Sequence, residues 1–223
     1  MSTLVLSARR LGAGVQARAF AWTARPLFWV VAIAIFFSWP IVRTLQIRLP
    51  PPLPVLSQLP AFTLTDQENQ PFGSEQLKGR VWIADFIFTR CPTICPVLTG
   101  RMGELQHRTR NLGDAFRLVS FTVDPEFDTP SVLAAYAKSH RVSPRRWSFV
   151  TGAPEDVKRA VVDGLKTSMG KEAPDGDLAS IFHGTHLVLV DQKLRIRGYY
   201  DTDQPGTLDT VLRDAGMLVN RGY

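Results

Sequence analysis

Acidic residues are missing from the start of this chain: no Asp or Glu precedes Asp66, while Arg9, Arg10, Arg18, Arg25, Arg43 and Arg48 do. The formal charge of +6 therefore belongs to the leader. Setting those six arginines aside leaves 20 basic residues against 20 acidic ones. A folded part with no net basic excess does not carry the footprint of a nucleic-acid binder. Cysteine is scarcer still, with two in 223 residues. Two sulfurs cannot build a disulfide framework, supply the roughly four thiolates of an iron–sulfur cluster, or close a structural zinc site. Internal repeats are absent, and low complexity is confined to one proline run. Gly12-Ala13-Gly14 has no strand before it and no phosphate-cradling helix after it. The acidic stretch Asp124–Asp128 lacks the central glycine and closing glutamate of a calcium loop.

What the leader does contain is an uncharged apolar run, Leu27–Val42. With Pro26 before it and Leu45 and Ile47 after Arg43, which can snorkel, it reaches the about 20 residues that a spanning helix needs. Trp22, Trp29 and Trp39 lie where interfaces would fall. The run is long for a signal-peptide core and no Ala-x-Ala site follows, so it reads as an uncleaved anchor over 26–47. Four arginines precede it and two follow, which leaves a basic segment, 1–25, in the cytoplasm and exports the rest. The expected location is the bacterial inner membrane with the C-terminal domain in the periplasm. The alternative, from reading the Arg-bearing leader as a transit peptide, is the mitochondrial inner membrane facing the intermembrane space. Leu49-Pro50-Pro51-Pro52-Leu53-Pro54 makes 48–58 a stiff spacer, and the folded domain is expected over 59–223.

Within that domain, Ala61–Phe72 reads as a hairpin and Val81–Phe88 as a buried strand. Cys91–Asn111 reads as a helix with Leu98, Met102, Leu105, Thr109 and Leu112 on one face. Arg117–Val123 and Trp147–Val150 are strands. Thr129 and Pro130 cap and open a helix to about Ser139, and a further helix runs from Pro154 to about Met169. His186–Val190 and Leu194–Tyr200 form a late hairpin, followed by a final helix carrying Leu208, Val211, Leu212 and Ala215. Strands alternating with helices and framed by hairpins give an α/β layered domain.

The two cysteines, Cys91 and Cys95, sit where the first core strand hands over to a helix. Unsatisfied N–H groups at a helix start favour thiolates. Four residues apart on a helix, the pair permits either a redox-active disulfide or a two-thiolate metal clamp. Soft thiolates suit Cu(I), and an added imidazole would also accommodate Cu(II). Of four histidines, His107 is several helical turns away and His140 follows a helix end. His183 and His186 share the run Ile181–Val190, where a period of two sends them to opposite faces, so at most one reaches the sulfurs. Asp124, closest to a strand end, is the carboxylate placed to support the site from outside the ligand set.

Four stretches in order, Phe86–Pro96, Ser120–Pro125 with Asp128-Thr129-Pro130, Trp147–Gly152, and His183 eight residues before Asp191, resemble the Sco/SenC family of membrane-anchored, thioredoxin-like copper proteins. The resemblance implies a central mixed sheet flanked by helices, with an N-terminal hairpin and a single N-terminal transmembrane helix. It implies copper as the bound metal and Cys91, Cys95 and His183 as its ligands, preferring His183 to His186. Gly184 and Gln192-Lys193 depart from the family's pattern. The implied function is a metallochaperone that delivers copper to the dinuclear copper centre of a cytochrome c oxidase subunit, with exchange with other copper carriers possible. The alternative is a membrane-tethered thiol–disulfide oxidoreductase using Cys91 and Cys95 alone, or a redox or copper sensor.

Overall fold

The computed structural model describes residues 25–45, 51–167, 169–171, 181–183 and 186–221. Two compact units divide near Pro52. In the first, helix α1 (Pro26–Leu45) has 20 residues and is long and apolar enough to cross a membrane. Pro40 lies inside it. Hydroxyls that would be costly in lipid are satisfied locally, Ser38 Oγ donating to the Ala34 carbonyl at 2.5 Å and Thr44 Oγ1 to that of Pro40 at 2.7 Å.

The second unit is built on eight strands: β1 (Ser57–Gln58), β2 (Thr63–Asp66), β3 (Pro71–Gly73), β4 (Val81–Ile87), β5 (Phe116–Thr122), β6 (Trp147–Thr151), β9 (His186–Val190) and β10 (Arg195–Asp201). Their order across the sheet is β1-β10-β9-β4-β5-β6-β2-β3. Strands β4, β5 and β6 run parallel at its centre, with Asp85 beside Ser120 and Phe86 beside Phe121. Every residue of β4 is buried, which is why it reads as a nearly continuous apolar run. A separate two-stranded ribbon joins β7 (Met169–Lys171) to β8 (Ile181–His183).

Helices follow the strands: α2 (Ser74–Leu77), α3 (Ile94–Arg108), α4 (Pro130–Ser139), α5 (Pro154–Lys158) and α6 (Thr207–Arg221). Strand alternation sorts the core into two layers. Trp82 and Phe86 meet Phe121, which meets Phe62, on one side. Asp85, Ser120 and Trp147 lie on the other, joined by hydrogen bonds. Leu98, Met102 and Leu105 of α3 are fully buried, as their spacing required. Thr129 caps α4 by accepting the Val132 N–H.

Four sequence expectations are corrected. Helix α3 begins at Ile94 and ends at Arg108, with a 3₁₀ segment over Arg110–Ala115, so Cys91 lies outside it. The helix from Pro154 turns π-helical over Arg159–Gly164 and stops well short of Met169. There Leu59 and Pro60 pack so closely that a Cβ on Gly164 would come within 3.0 Å of Leu59 Cδ1. The run Ile181–Val190 is two strands in two sheets, so parity counted across it does not apply. Packing also begins upstream of Leu59: the buried Arg197 guanidinium donates to the carbonyls of Leu53 and Pro54 and pairs with Asp191 at 2.7 Å.

Candidate redox and metal site

The site forms between the end of β4 and the start of α3. Phe88–Thr93 bridges the gap as a loop in which the Cys91 N–H donates to the Phe88 carbonyl at 3.1 Å. Pro92 has no N–H to offer, and Thr93 occupies the helix N-cap. Cys95 then sits in the first turn with its N–H aimed at Cys91 Sγ, 3.4 Å away. No disulfide joins the two cysteines. Cys91 is 7% exposed and Cys95 is sealed.

The two thiols differ in acidity. Burial pushes Cys91 up, but the N–H groups of Cys95, Thr93 and Ile94 and the Cys95 thiol outweigh it, and Cys91 lies below an ordinary thiol. For Cys95 burial dominates, and the charges of Cys91 and Asp85 push it further up, against a lowering contact with the Phe88 backbone. The arrangement is a nucleophilic outer sulfur over a protonated inner one.

The loop is held from the β5–α4 side. Asp128, fully buried, accepts Thr89 N–H at 3.1 Å, Thr89 Oγ1 at 2.5 Å and Thr122 Oγ1 at 2.6 Å. Asp124 pairs with Arg90 at 2.6 Å, and the Arg90 guanidinium lies 4.1 Å above the Phe127 ring. Asp124 thus holds the residue next to Cys91. Sequence reasoning missed Asp128, because Thr129-Pro130 accounted for that stretch as a helix start.

It also missed Asp85 beneath the pair. Asp85 Oδ1 accepts the Ser120 hydroxyl at 2.5 Å, which in turn accepts Trp147 Nε1–H at 2.8 Å. Oδ2 has no hydrogen-bond partner among the described residues. Burial pushes the carboxyl up to about 7, against a lowering by Ser120 and by the residue's own backbone. Its only sequence signal was a lone acid inside an apolar strand. Tyr136, donor or acceptor to Thr99 Oγ1 at 2.9 Å, is pushed up to about 12 by burial and, more weakly, by the charges of Cys95, Asp85 and Cys91.

A raised carboxyl means that the folded state holds its proton more tightly than the unfolded one. Stability is then full below about pH 4 and falls as pH rises through about 7. The shift from 3.8 to about 7 caps the loss at about 4 kcal/mol. Asp85→Asn is expected to remove this slope and to melt higher than the parent at pH 9. Thermal melts of both proteins between pH 5 and 9 test it, and parallel profiles would disprove it.

The histidines separate clearly. His107 is near Arg110 at the far end of α3, and His140 stacks on Tyr136 with ring centroids 4.5 Å apart. His186 packs edge-on to Phe86 and Tyr199, with Nε2 3.1 Å from Thr167 Oγ1. Phe86 lies on the sheet face opposite Asp85, and His186 packs on that face. The His183 backbone is described in β8; its imidazole, like Gly184 and Thr185, lies outside the described groups. Among the described residues no three His, Cys, Asp or Glu side chains gather to hold a metal ion. The cysteines therefore offer two soft donors.

The SCO1/SenC family model matches residues 56–217. A SCO1 protein homolog of Bacillus subtilis is 32% identical over 162 residues, covering 72% of this chain and 82% of that protein. The structure of BsSco, in which a disulfide switch was identified and which is described as a member of the Sco family of cytochrome c oxidase assembly proteins, aligns with a TM-score of 0.65 at 29% identity. It covers 77% of this chain and 99% of its own. Copper-bound ScoI of Bradyrhizobium japonicum shares the fold, with a TM-score of 0.62 at 23% identity over 73% of this chain and 99% of its own. The thioredoxin-like fold expected from the sequence is the one found.

Proposed function

The chain belongs to the SCO1/SenC family, and from that premise we propose that it is a membrane-anchored copper carrier that loads the dinuclear copper centre of cytochrome c oxidase during assembly. The observation that carries this reading is the reduced pair itself, with Cys95 N–H directed at Cys91 Sγ across 3.4 Å. Two adjacent soft sulfurs at a helix start fit Cu(I), and His183 would complete the ligand set. The nearby acids suit a cation, since Asp85 and Cys91 add negative charge near Cys95 when ionised.

Copper is the cargo. Cys91, whose thiol is the more acidic, engages first, and Cys95 gives up its proton as the second Cu–S bond forms. Release reverses this order: a recipient thiolate bonds the copper while Cys95 regains a proton. Affinity therefore rises with pH, by about tenfold per unit while one required thiol remains protonated. Asp124, through Arg90, would hold the loop that carries Cys91. The anchor over 26–47 would tether the domain on the periplasmic side, with 48–58 as spacer.

The test is a Cu(I) competition titration of the reduced chain in detergent against a coloured chelator. One copper per chain is expected, with affinity lowered by His183→Ala. Absence of retention, or indifference to His183→Ala, would reject the ligand set.

The acidity difference between the two thiols also favours a second reading, thiol–disulfide exchange with a partner's disulfide. The Cys91 thiolate attacks one partner sulfur and expels the other as a thiolate. Cys95 then closes the Cys91–Cys95 disulfide and releases the reduced partner. That activity would survive His183→Ala, whereas copper carriage would not.

A further inference from the structure

The folded unit carries as many acidic as basic residues, yet the two signs are sorted between its ends. Strands β4, β5 and β6 start level with one another, Val81 opposite Phe116 and Leu118 opposite Trp147. The β9–β10 turn lies at the same end, because Val190 pairs with both Trp82 and Ile196. Lys78, Arg145 and Lys193 stand exposed there, with Arg80, Arg146 and Arg195 half-buried. These loops form one surface. Gly79 N–H donates to the Gln192 carbonyl at 2.9 Å, Leu118 N–H to that of Arg146 at 2.8 Å, and Arg80 Nε to that of Asp114 at 3.1 Å. Glu75 pairs with Lys78, Asp114 with Arg117, and the buried Asp191 with Arg195 and Arg197. The cysteine end carries the opposite sign: Asp124, Glu126 and Asp128 follow β5, around Arg90.

The tether joins the domain at the basic end. Gln58 Nε2 donates to the Lys193 carbonyl at 3.0 Å, Leu59 N–H to that of Leu194 at 2.8 Å, and Arg197 holds the carbonyls of Leu53 and Pro54. Val55 and Leu56, between these holds, are 52% and 50% exposed. Residues 46–52, which separate helix α1 from Leu53, span at most about 25 Å when fully extended. We infer that the basic end is a docking surface for anionic phospholipid headgroups, with Val55 and Leu56 entering the interface beside them. The inference rests on the reading of 26–47 as a membrane anchor. The anchor keeps this end within reach of the bilayer, where anionic headgroups attract Lys and Arg at short range and repel the acidic end. Docking stands β4 upright, so Cys91 and Cys95 face away from the lipid, raised above it by roughly 20 Å, the length of seven strand residues. A copper recipient must then present its acceptor sulfurs at that height.

The test compares the full chain in nanodiscs of phosphatidylcholine with the same chain in discs that also contain phosphatidylglycerol, read by hydrogen–deuterium exchange. Each Lys or Arg near an anionic surface is worth about fivefold in binding, so exchange over 78–80 and 191–194 should slow by at least about tenfold in the anionic discs. Salt at about 0.5 M should reverse the slowing. Arg145→Glu with Lys193→Glu, both at exposed positions, should abolish it, and exchange in β4 reports that this variant stays folded. Equal exchange in both kinds of disc, with α1 protected, overturns the docking surface alone. An unprotected α1 overturns the anchor reading as well. Slowing that needs two chains per disc, whatever the lipid, gives the surface to a second copy and overturns the lipid.

Discussion

Cys95→Ser is expected to cost the reduced protein at least about a hundredfold in Cu(I) affinity. Structural metal sites of four ligands are worth about 10–16 kcal/mol in total, so one strong ligand carries about 3 kcal/mol, a factor of roughly a hundred. Serine keeps the shape but supplies neither a soft donor nor a thiol that gives up its proton to copper. Cys91→Ser should fail to a similar degree, for the same chemical reason. The stability cost differs, because Cys95 is fully buried and Cys91 borders solvent. A hydroxyl in the Cys95 pocket costs about 1–3 kcal/mol unless it finds a partner. Melts of the copper-free variants separate that cost from lost binding. Retention of copper by either variant at parental affinity would remove the two-sulfur site from consideration.

Asp128→Ala should loosen the same loop without touching a sulfur. The change leaves Thr89 N–H, Thr89 Oγ1 and Thr122 Oγ1 without their shared acceptor, Thr122 fully buried and Thr89 half-buried. Unsatisfied buried donors cost about 1–3 kcal/mol each. Allowing for partial relaxation, the expected loss is about 4–5 kcal/mol. At about 2–4 °C per kcal/mol for a domain of this size, the melting point falls by roughly 10–15 °C. The consequence for chemistry is more specific. Cys91 is acidified by N–H groups that the loop holds in place, so a freed loop returns its thiol toward the ordinary range. Alkylation of Cys91 at pH 7, measured below the melting transition in a Cys95→Ser background, should slow several-fold in Asp128→Ala. Asp128→Glu, which keeps the acceptor, should recover part of that rate. A melting change with no change in alkylation would make Asp128 a packing residue only.

The carboxylate under Thr89 and the one under Cys95 mark the limit of what periodicity can reveal. Thr89 and Asp128 are 39 positions apart, and Asp85 and Ser120 are 35 apart. Each pair meets only because β4 and β5 lie parallel in a fixed register. The histidines make the same point in reverse. Counting by twos along Ile181–Val190 treated one run as one strand, and the chain instead broke it between a small ribbon and the main sheet.

Sequence alone determined the features that are written in neighbouring residues. The apolar leader helix, the buried strand before Cys91, the buried face of α3 and the Thr129-Pro130 helix start each follow from the period, polarity or backbone restriction of a few consecutive side chains. Tertiary structure decided that Cys91 stands outside the helix, that the two thiols differ in acidity, that Asp128 anchors the loop and that His186 packs against Phe86 and Tyr199. Those properties depend on desolvation and on hydrogen bonds between distant segments. Neither exists until the sheet has assembled and shut water out of its interior.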